Sequence, residues 1–278
     1  MSDPVIPSVD EIRKSAQVLS NPDATGPFQT VVKVGDFAVK FGRRVTMLEA
    51  QNLEYVSKNS GVPVSKFFTA FTEPETSSTF IVMKYIDGHE LGDIWKSLTP
   101  PEKQDVGKQI QNAVETLRAL QPPDYFGSVG RQAFADGVFY YPDGPNPAIK
   151  GPFKTEDELN EGMILRMAEF IPQASQTLMR TLMSTTLRGH KATFTHGDLQ
   201  PKNIMVHRTG TKDDGSGMFE IKIIDWENSG WYPEYWEFCN ATIGGSSKAD
   251  WLELVQQIMH VYPQEYLMMQ SVRSIIFW

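Results

Sequence analysis

Apolar residues along this chain follow two periods, and the change from one to the other separates a strand-rich beginning from a helix-rich remainder. Residues Gln29–Val34 and Phe37–Phe41, on either side of Gly35-Asp36, alternate and read as paired strands. Phe80–Ile86 is a mostly apolar run of the buried-strand kind, closed by the turn pair Asp87-Gly88. The helical period appears in Ser8–Leu19, where Ser8 and Glu11 form a capping box, and again in Val45–Ser57. It dominates from Thr99 on. Thr99 with Glu102 opens a helix whose inward stripe is Val106, Ile110, Ala113, Leu117 and Leu120. Thr155 with Glu158 opens another, carrying Leu159, Met163, Met167 and Phe170 and ended by Pro172. Further helices are predicted over 174–187, 249–262 and 264–277. Two strand runs interrupt this series, Ile204–Val206 and Phe219–Asp225, and the polar, Gly-bearing stretch His207–Gly217 closes them into a hairpin. Between 121 and 152 the chain is dense in Pro, Gly, Asp and aromatic residues, an ordered insertion whose rings either pack or line a substrate wall.

At 278 residues the chain exceeds the usual single-core domain, so two lobes sharing a cleft are expected. The pattern describes an α+β protein with a small antiparallel-sheet N-terminal lobe and a larger, mainly helical C-terminal lobe. A formal net charge of −8, with no long basic run, argues against a nucleic-acid surface and suits a cationic or neutral small molecule. Cys239 is the only cysteine, the Met1-Ser2-Asp3 start lacks signal-peptide character, and no apolar run is long enough for a bilayer; a cytoplasmic location without membrane or protein partner is expected. The sequon Asn240-Ala241-Thr242 would then stay unmodified.

Candidate chemistry gathers on the late hairpin. His196-Gly197-Asp198 forms a turn ahead of Ile204, Asn203 follows Asp198 by five residues, and the second strand delivers Asp225 to its end. Taken singly, such an Asp or Asn is as readily a turn former or a helix cap. As a set they meet the needs of phosphoryl transfer: a carboxylate to orient an attacking hydroxyl, and an amide oxygen with a second carboxylate to hold Mg2+ against phosphates. His196 is expected to brace the turn. Earlier in the chain, Glu49 shares a helical face with Leu53 and Val56, so its carboxylate points inward and needs a cation; Lys40, in the apolar strand Phe37–Phe41, is the candidate.

These residues carry a resemblance. The run His-Gly-Asp-x-x-x-x-Asn at 196–203, then Ile-Ile-Asp-Trp-Glu at 223–227, resembles the aminoglycoside phosphotransferase and choline kinase branch of the protein-kinase-like fold, and in particular its fungal members. Val39-Lys40, Glu49-Ala50 and the hinge Ile81–Gly88 follow in the same order. The resemblance implies a nucleotide-binding lobe over 1–86 and a catalytic, substrate-binding lobe over 87–278. It implies ATP, with GTP open, and Mg2+ as cofactors, a base seated on the backbone of Met83, Lys84, Tyr85 and Ile86, Lys40 and Glu49 on the phosphate side, Asp198 as catalytic residue, and Asn203 and Asp225 as metal ligands. The acceptor would be a hydroxyl of a small molecule, and Glu227, Trp231 and Glu234, in the aromatic and acidic run after Asp225, are candidates for its binding. Two departures stand out: no Gly-x-Gly-x-x-Gly precedes Lys40, leaving at most a degenerate version around 24–27, and Lys84 occupies a position where relatives often carry an acid. The missing glycines keep a non-catalytic nucleotide-binding module open, and ATP-driven ligation or cyclisation is the other alternative. No Asp-Phe-Gly or Ala-Pro-Glu pair bounds an activation loop, which argues against a protein kinase.

Overall fold

A computed structural model describes residues 4–20, 28–142, 144, 146–245 and 248–277. The degenerate glycine stretch around 24–27 lies outside them. The N-terminal lobe is a four-stranded antiparallel sheet, β1 (Thr30–Val34), β2 (Phe37–Gly42), β3 (Phe67–Glu73) and β4 (Ser78–Lys84), in the order β1-β2-β4-β3. Strand periodicity sends Val39 and Val82, which pair in register, to an outer face with Ile12, Val32 and Phe80; Lys40 pairs with Ile81 and so faces the other way. Helix α2 (Met47–Asn59) covers that second face, burying Glu49, Asn52, Leu53 and Val56. Burial of Leu53 and Val56 contributes roughly 1.5–3 kcal/mol each.

Helix α1 (Val9–Arg13) keeps the capping box of Ser8 and Glu11 but stops short of the predicted Leu19. The chain is taken up by the sheet instead: Lys33 donates its N–H to Gln17 O, Leu19 donates to Val31 O, and Val18 bridges to Val32. Backbone pairing to an open sheet edge outweighs the helical period there.

After β4 the chain crosses to a three-stranded sheet of β5 (His89–Glu90), β7 (Ile204–Thr211) and β8 (Gly217–Ile223), order β5-β7-β8. A second small sheet pairs β6 (Ala192–Thr195) with β9 (Gly230–Pro233). Around them pack α3 (Leu91–Ile94), α4 (Pro100–Arg118), α5 (Pro147–Lys150), α6 (Glu156–Met167), α7 (Gln173–Thr186), α8 (Trp236–Gly244), α9 (Ala249–Ile258) and α10 (Pro263–Ile276). The hairpin is present as expected, with β7 running on into what reads in sequence as loop. Glu102 explains the sharp start of α4: its carboxylate accepts from Thr99 N–H and O–H, and from Gly217 N–H at 2.5 Å, tying the helix to β8. The buried rings of the aromatic insertion pack, while Tyr140 stays exposed. Phe134, Phe139 and Phe153 are buried; Phe134 stacks on Tyr232 and Phe139 on Trp236 of the C-terminal lobe, with Phe153 tilted against both phenylalanines. No helix among the described residues is long and apolar enough to cross a membrane.

One buried ion-pair set joins three parts of this lobe. His190 sits between Glu156 of α6, 2.6 Å from its Nδ1, and Glu265 of α10, 3.4 Å from Nε2, with the Tyr235 and Tyr262 rings edge-on. Burial disfavours the imidazolium, yet the two carboxylates outweigh it and raise the His190 pKa above its ordinary value. A group raised on folding contributes stability that is complete below its unfolded pKa and is lost as pH rises through the folded one. The difference in melting midpoint between wild type and His190→Gln is therefore expected to be larger at mildly acidic than at mildly alkaline pH; a difference independent of pH would assign His190 to packing alone.

Candidate active site

Lys40 Nζ lies 2.7 Å from Glu49 Oε1, 2.7 Å from Asp225 Oδ1 and 3.7 Å from Glu227 Oε2. The predicted Lys40–Glu49 pair thus forms, and it reaches across the cleft to the end of β8. Three carboxylates share one ammonium that is only 5 % exposed. Burial works against the charge of Lys40, but Glu49, Asp225 and Glu227 outweigh it and hold the ammonium well above its ordinary pKa. Burial pushes Glu49 up to about 7 despite Lys40, and its Oε2 is buried without a hydrogen-bond partner. Glu227 is raised by partial burial and by Asp225, while Asp225, although partly buried, is held low by Lys40.

Asp225 has φ +68°, the left-handed region that aspartate tolerates better than most residues. This turn follows β8 directly, and Ile224 N–H donates to Asn203 O at 3.0 Å, so the metal-type ligands of the two strand ends are backbone neighbours. Asn52 of α2 donates to Trp226 O at 2.9 Å and Ser229 O at 3.2 Å, fixing the segment after Asp225 against the N-terminal lobe.

The loop bearing Asp198 is held from beneath. Glu237 accepts from His196 N–H at 2.5 Å and Gly197 N–H at 3.3 Å, Asn240 donates to Gly197 O at 2.7 Å, and Ser229 donates to His196 O at 3.0 Å. Gly197 has φ +85°, and a Cβ there would meet Asn228 O at 2.5 Å, so the turn requires glycine. His196 accepts from Asp198 N–H through Nδ1 at 3.2 Å and therefore carries its proton on Nε2, which donates to Ile224 O at 2.9 Å. The ring links the Asp198 turn to the strand leading into Asp225. Asn203 donates through Nδ2 to Asp198 O at 2.8 Å and Oδ2 at 3.0 Å, which leaves its amide oxygen, Oδ1, with no donor among the described residues. Asp198 also accepts from Gln200 Nε2 and Lys202 Nζ.

Along the hinge, Lys84 N–H donates to Lys66 O and Tyr85 N–H to Asp36 O, so neither is free for a base. Ile86 N–H has no partner among the described residues, and Met83 sits within the β4 register opposite Ala38 and Phe67. A cleft of about 540 Å³ lies under the hinge, walled by Val64, Tyr85, Ile86, Met205 and Lys222; none of the acidic set lines it.

Two residues expected on the acceptor side are elsewhere. Trp231 is 3 % exposed and packs edge-on against Phe194 and Tyr55, a core position. Glu234 follows the end of β9 that pairs with Ala192, away from the Thr195–Gly230 end beside the loop, and faces Arg118 at 3.9 Å and Lys191 at 4.0 Å. Glu227 alone of the three stands with Lys40 and Asp225. Sequence reasoning gave no site role to Glu237, Asn240, Gln200 or Lys202. For the first two a signal existed: a carboxylate and an amide in the apolar run Trp236–Ala241 must be paired when buried.

Glu49, Asp225 and Glu227 present carboxylate oxygens within 4.8 Å of one another, and three carboxylates against one ammonium leave an excess of negative charge. Hard oxygen donors in such an excess, with Asp225 Oδ2 lacking a partner among the described residues and Asn203 Oδ1 on the residue bonded to Ile224 N–H, fit Mg2+, which commonly takes one or two protein carboxylates and completes its shell with phosphate and water.

Comparison with solved structures gives a consistent fold. The candidate fructosamine-3-kinase of Haemophilus somnus 129PT matches with TM-score 0.56 and 14% identity over 91% of this chain and 81% of its own. A GDP complex of an aminoglycoside 2'-phosphotransferase-IIIa mutant matches with TM-score 0.56 and 14% identity over 95% and 81%. A ternary complex of aminoglycoside phosphotransferase APH(4)-Ia with ADP and hygromycin B matches with TM-score 0.54 and 13% identity over 96% and 82%. At these identities the likeness is one of fold. No curated protein matches the chain. The sequence itself matches the phosphotransferase enzyme family, APH, over residues 28–266, which takes in both lobes, the Lys40–Glu49–Asp225 set and the Asp198 loop. The chain belongs to the phosphotransferase enzyme family.

Proposed function

We propose that the protein transfers the γ-phosphate of ATP to a hydroxyl of a small molecule. The observation that carries this is Lys40, whose ammonium meets Glu49 of one lobe and Asp225 of the other at 2.7 Å each, on the same side as an Asp198 tethered to Asn203. Lys40 is suited to neutralise the α and β phosphates, and Glu49 to keep it aimed there. Asp198 orients the acceptor hydroxyl and takes its proton. The acceptor oxygen bonds to the γ-phosphorus while the bond from that phosphorus to the β,γ-bridging oxygen breaks, its electron pair leaving with ADP. Mg2+, when bound by Asp225 and Asn203, supplies charge neutralisation at the phosphate oxygens. Ile86 N–H is the hinge donor that remains for the base. The neighbours' ADP, GDP and aminoglycosides belong to those proteins, so the acceptor sought here is a hydroxylated amine, sugar or other metabolite, with ATP and GTP as two arms of the test.

The test is thermal stability with Mg·ATP or Mg·GTP on wild type and Asp225→Ala. A ligand at about 100 times its Kd stabilises the folded state by about 2.7 kcal/mol. A Mg2+-dependent rise in midpoint, lost in Asp225→Ala, is expected. No rise with either nucleotide at saturation would overturn the proposal. Product mass then separates phosphoester formation from ligation or cyclisation, which release phosphate.

A further inference from the structure

Both oxygens of the Asp198 carboxylate accept from protein donors in this structure, and one of those donors is a cation. Oδ1 accepts from Gln200 Nε2; Oδ2 accepts from Asn203 Nδ2 at 3.0 Å and stands 2.9 Å from Lys202 Nζ. Oδ2, with two donors, thus has its lone pairs filled, although the reaction proposed above requires the carboxylate to receive an acceptor hydroxyl. Gln200 and Asn203 are confined. A Cβ on Gly244 would lie 2.8 Å from Gln200 Nε2, and Asn203 is buried with its amide also on Asp198 O. Lys202 differs from both. Its backbone is fixed in the short 3-10 turn Pro201–Asn203, where Asn203 N–H donates to Gln200 O, but its side chain is half exposed on a four-carbon stem.

The field around that ammonium has a direction. Burial disfavours its charge, and Asp198 outweighs this, with Asp225 and Glu227 adding to it from the Lys40 side. Glu90, ahead of α3, feels Lys202 as well. Lys202 is thus paired with the residue that takes the proton and is near enough to Asp225 and Glu227 to feel their charge. In-line transfer brings the phosphoryl group to the oxygen that this residue deprotonates. Lys40 has three carboxylates within 3.7 Å, whereas Lys202 has a single ion-pair partner among the described residues. Lys202 is the cation that can exchange its partner for an incoming anion.

We propose that Lys202 is a phosphoryl-directed cation that masks Asp198 in the nucleotide-free protein and moves to the γ-phosphate when a nucleoside triphosphate binds. The inference rests on the phosphotransferase reading above. Its consequence is an order of events: the γ-phosphate draws the ammonium off Oδ2, a lone pair of that oxygen becomes available, and the acceptor hydroxyl then bonds there. As charge develops on the equatorial oxygens of the transferring group, the same ammonium stabilises it.

The experiment needs no acceptor. Binding of Mg·AMPPNP and of Mg·ADP is measured by calorimetry on wild type, K202Q and K202R, with the unliganded melting midpoint of each as a check on folding. A hydrogen bond to a charged group lost from the complex corresponds to about tenfold or more in affinity. K202Q is expected to lose that much for Mg·AMPPNP and less than about twofold for Mg·ADP, which lacks the γ-phosphate; K202R is expected to retain most triphosphate affinity. Equal losses for both nucleotides, or no loss for either, would overturn the role of Lys202 while leaving the nucleotide reading standing. Failure of wild type to bind either nucleotide would overturn that reading, and this proposal with it. A K202Q midpoint far below wild type transfers the decision to K202R, whose unchanged Mg·ADP affinity with a triphosphate affinity no better than its diphosphate affinity would also overturn it.

Discussion

Asp198→Ala is expected to reduce phosphoryl transfer by about 10²–10⁴-fold, the range associated with losing a positioned general base. The loop should survive the change. It is held by Glu237, Asn240 and Ser229 through the backbone of His196 and Gly197, none of which uses the Asp198 side chain. Of the donors left behind, half-exposed Lys202 can turn to water, and Gln200, although held in place, is itself partly exposed to it. Nucleotide binding separates this loss from a general collapse of the site: with its ion-pair partner gone, Lys202 no longer has to be drawn from Oδ2, so Mg·AMPPNP should bind Asp198→Ala at least as tightly as wild type. Asp198→Asn keeps the shape and hydrogen-bonding span but removes the base, and its turnover should fall as far. Mass spectrometry of the phosphorylated product together with calorimetry decides the matter. Wild-type turnover in either variant would remove Asp198 from its assigned role; a parallel loss of triphosphate binding would show that it supports the nucleotide site instead.

What could be read from the chain before its structure was whatever local periodicity or a short motif encodes. The capping boxes at Ser8 and Thr99, the inward face shared by Glu49, Leu53 and Val56, and the hairpin that brings Asn203 beside Asp225 each follow from spacings of a few residues. Lys40 with Glu49 followed too, because a carboxylate on an apolar helical face admits few solutions. What was missed depends on contacts between distant segments. Trp231 reads as a binding-site aromatic until β9 is known to lie on β6, which buries every residue of Gly230–Pro233. Glu234 reads as a neighbour of the site until register puts it beside Lys191, at the far end of the same pair. Helix α1 ends at Arg13 because a sheet edge competes for the backbone beyond it. Lys202 was overlooked for a different reason: a lysine in a turn is ordinarily solvated, and only the 2.9 Å approach to Asp198 distinguishes it.

Asp136→Ala is expected to cost about 3–5 kcal/mol of stability, the range for removing one partner of a buried ion pair. Asp136 lies in the aromatic insertion, is 3 % exposed, and caps the 3-10 turn Gly137–Phe139 by accepting from Val138 N–H at 2.9 Å. Its other oxygen accepts from Trp236 Nε1 at 3.1 Å, Asn240 Nδ2 at 3.0 Å and Arg273 Nη2 at 3.1 Å. Removing the carboxylate strands a guanidinium whose Nε is already buried without a partner. Against a total stability of about 5–15 kcal/mol, such a loss is severe. The cost should show in urea unfolding as a lower midpoint with little change in slope. Asp136→Asn, which keeps an acceptor and loses the charge, should cost less. In a double-mutant cycle with Arg273→Met the two losses should fall short of additive by about 0.5–3 kcal/mol, since the second change removes the charge the first left exposed to an apolar interior. Additive losses would mean that Asp136 and Arg273 act independently. The same network reaches the loop bearing Asp198, because Arg273 also donates to Asn240 Oδ1 at 2.7 Å and Asn240 holds Gly197 O. Asp136→Asn, folded but with a loosened Asn240, should therefore turn over more slowly than wild type at unchanged nucleotide affinity, the effect of a loop that no longer presents Asp198 at a fixed angle.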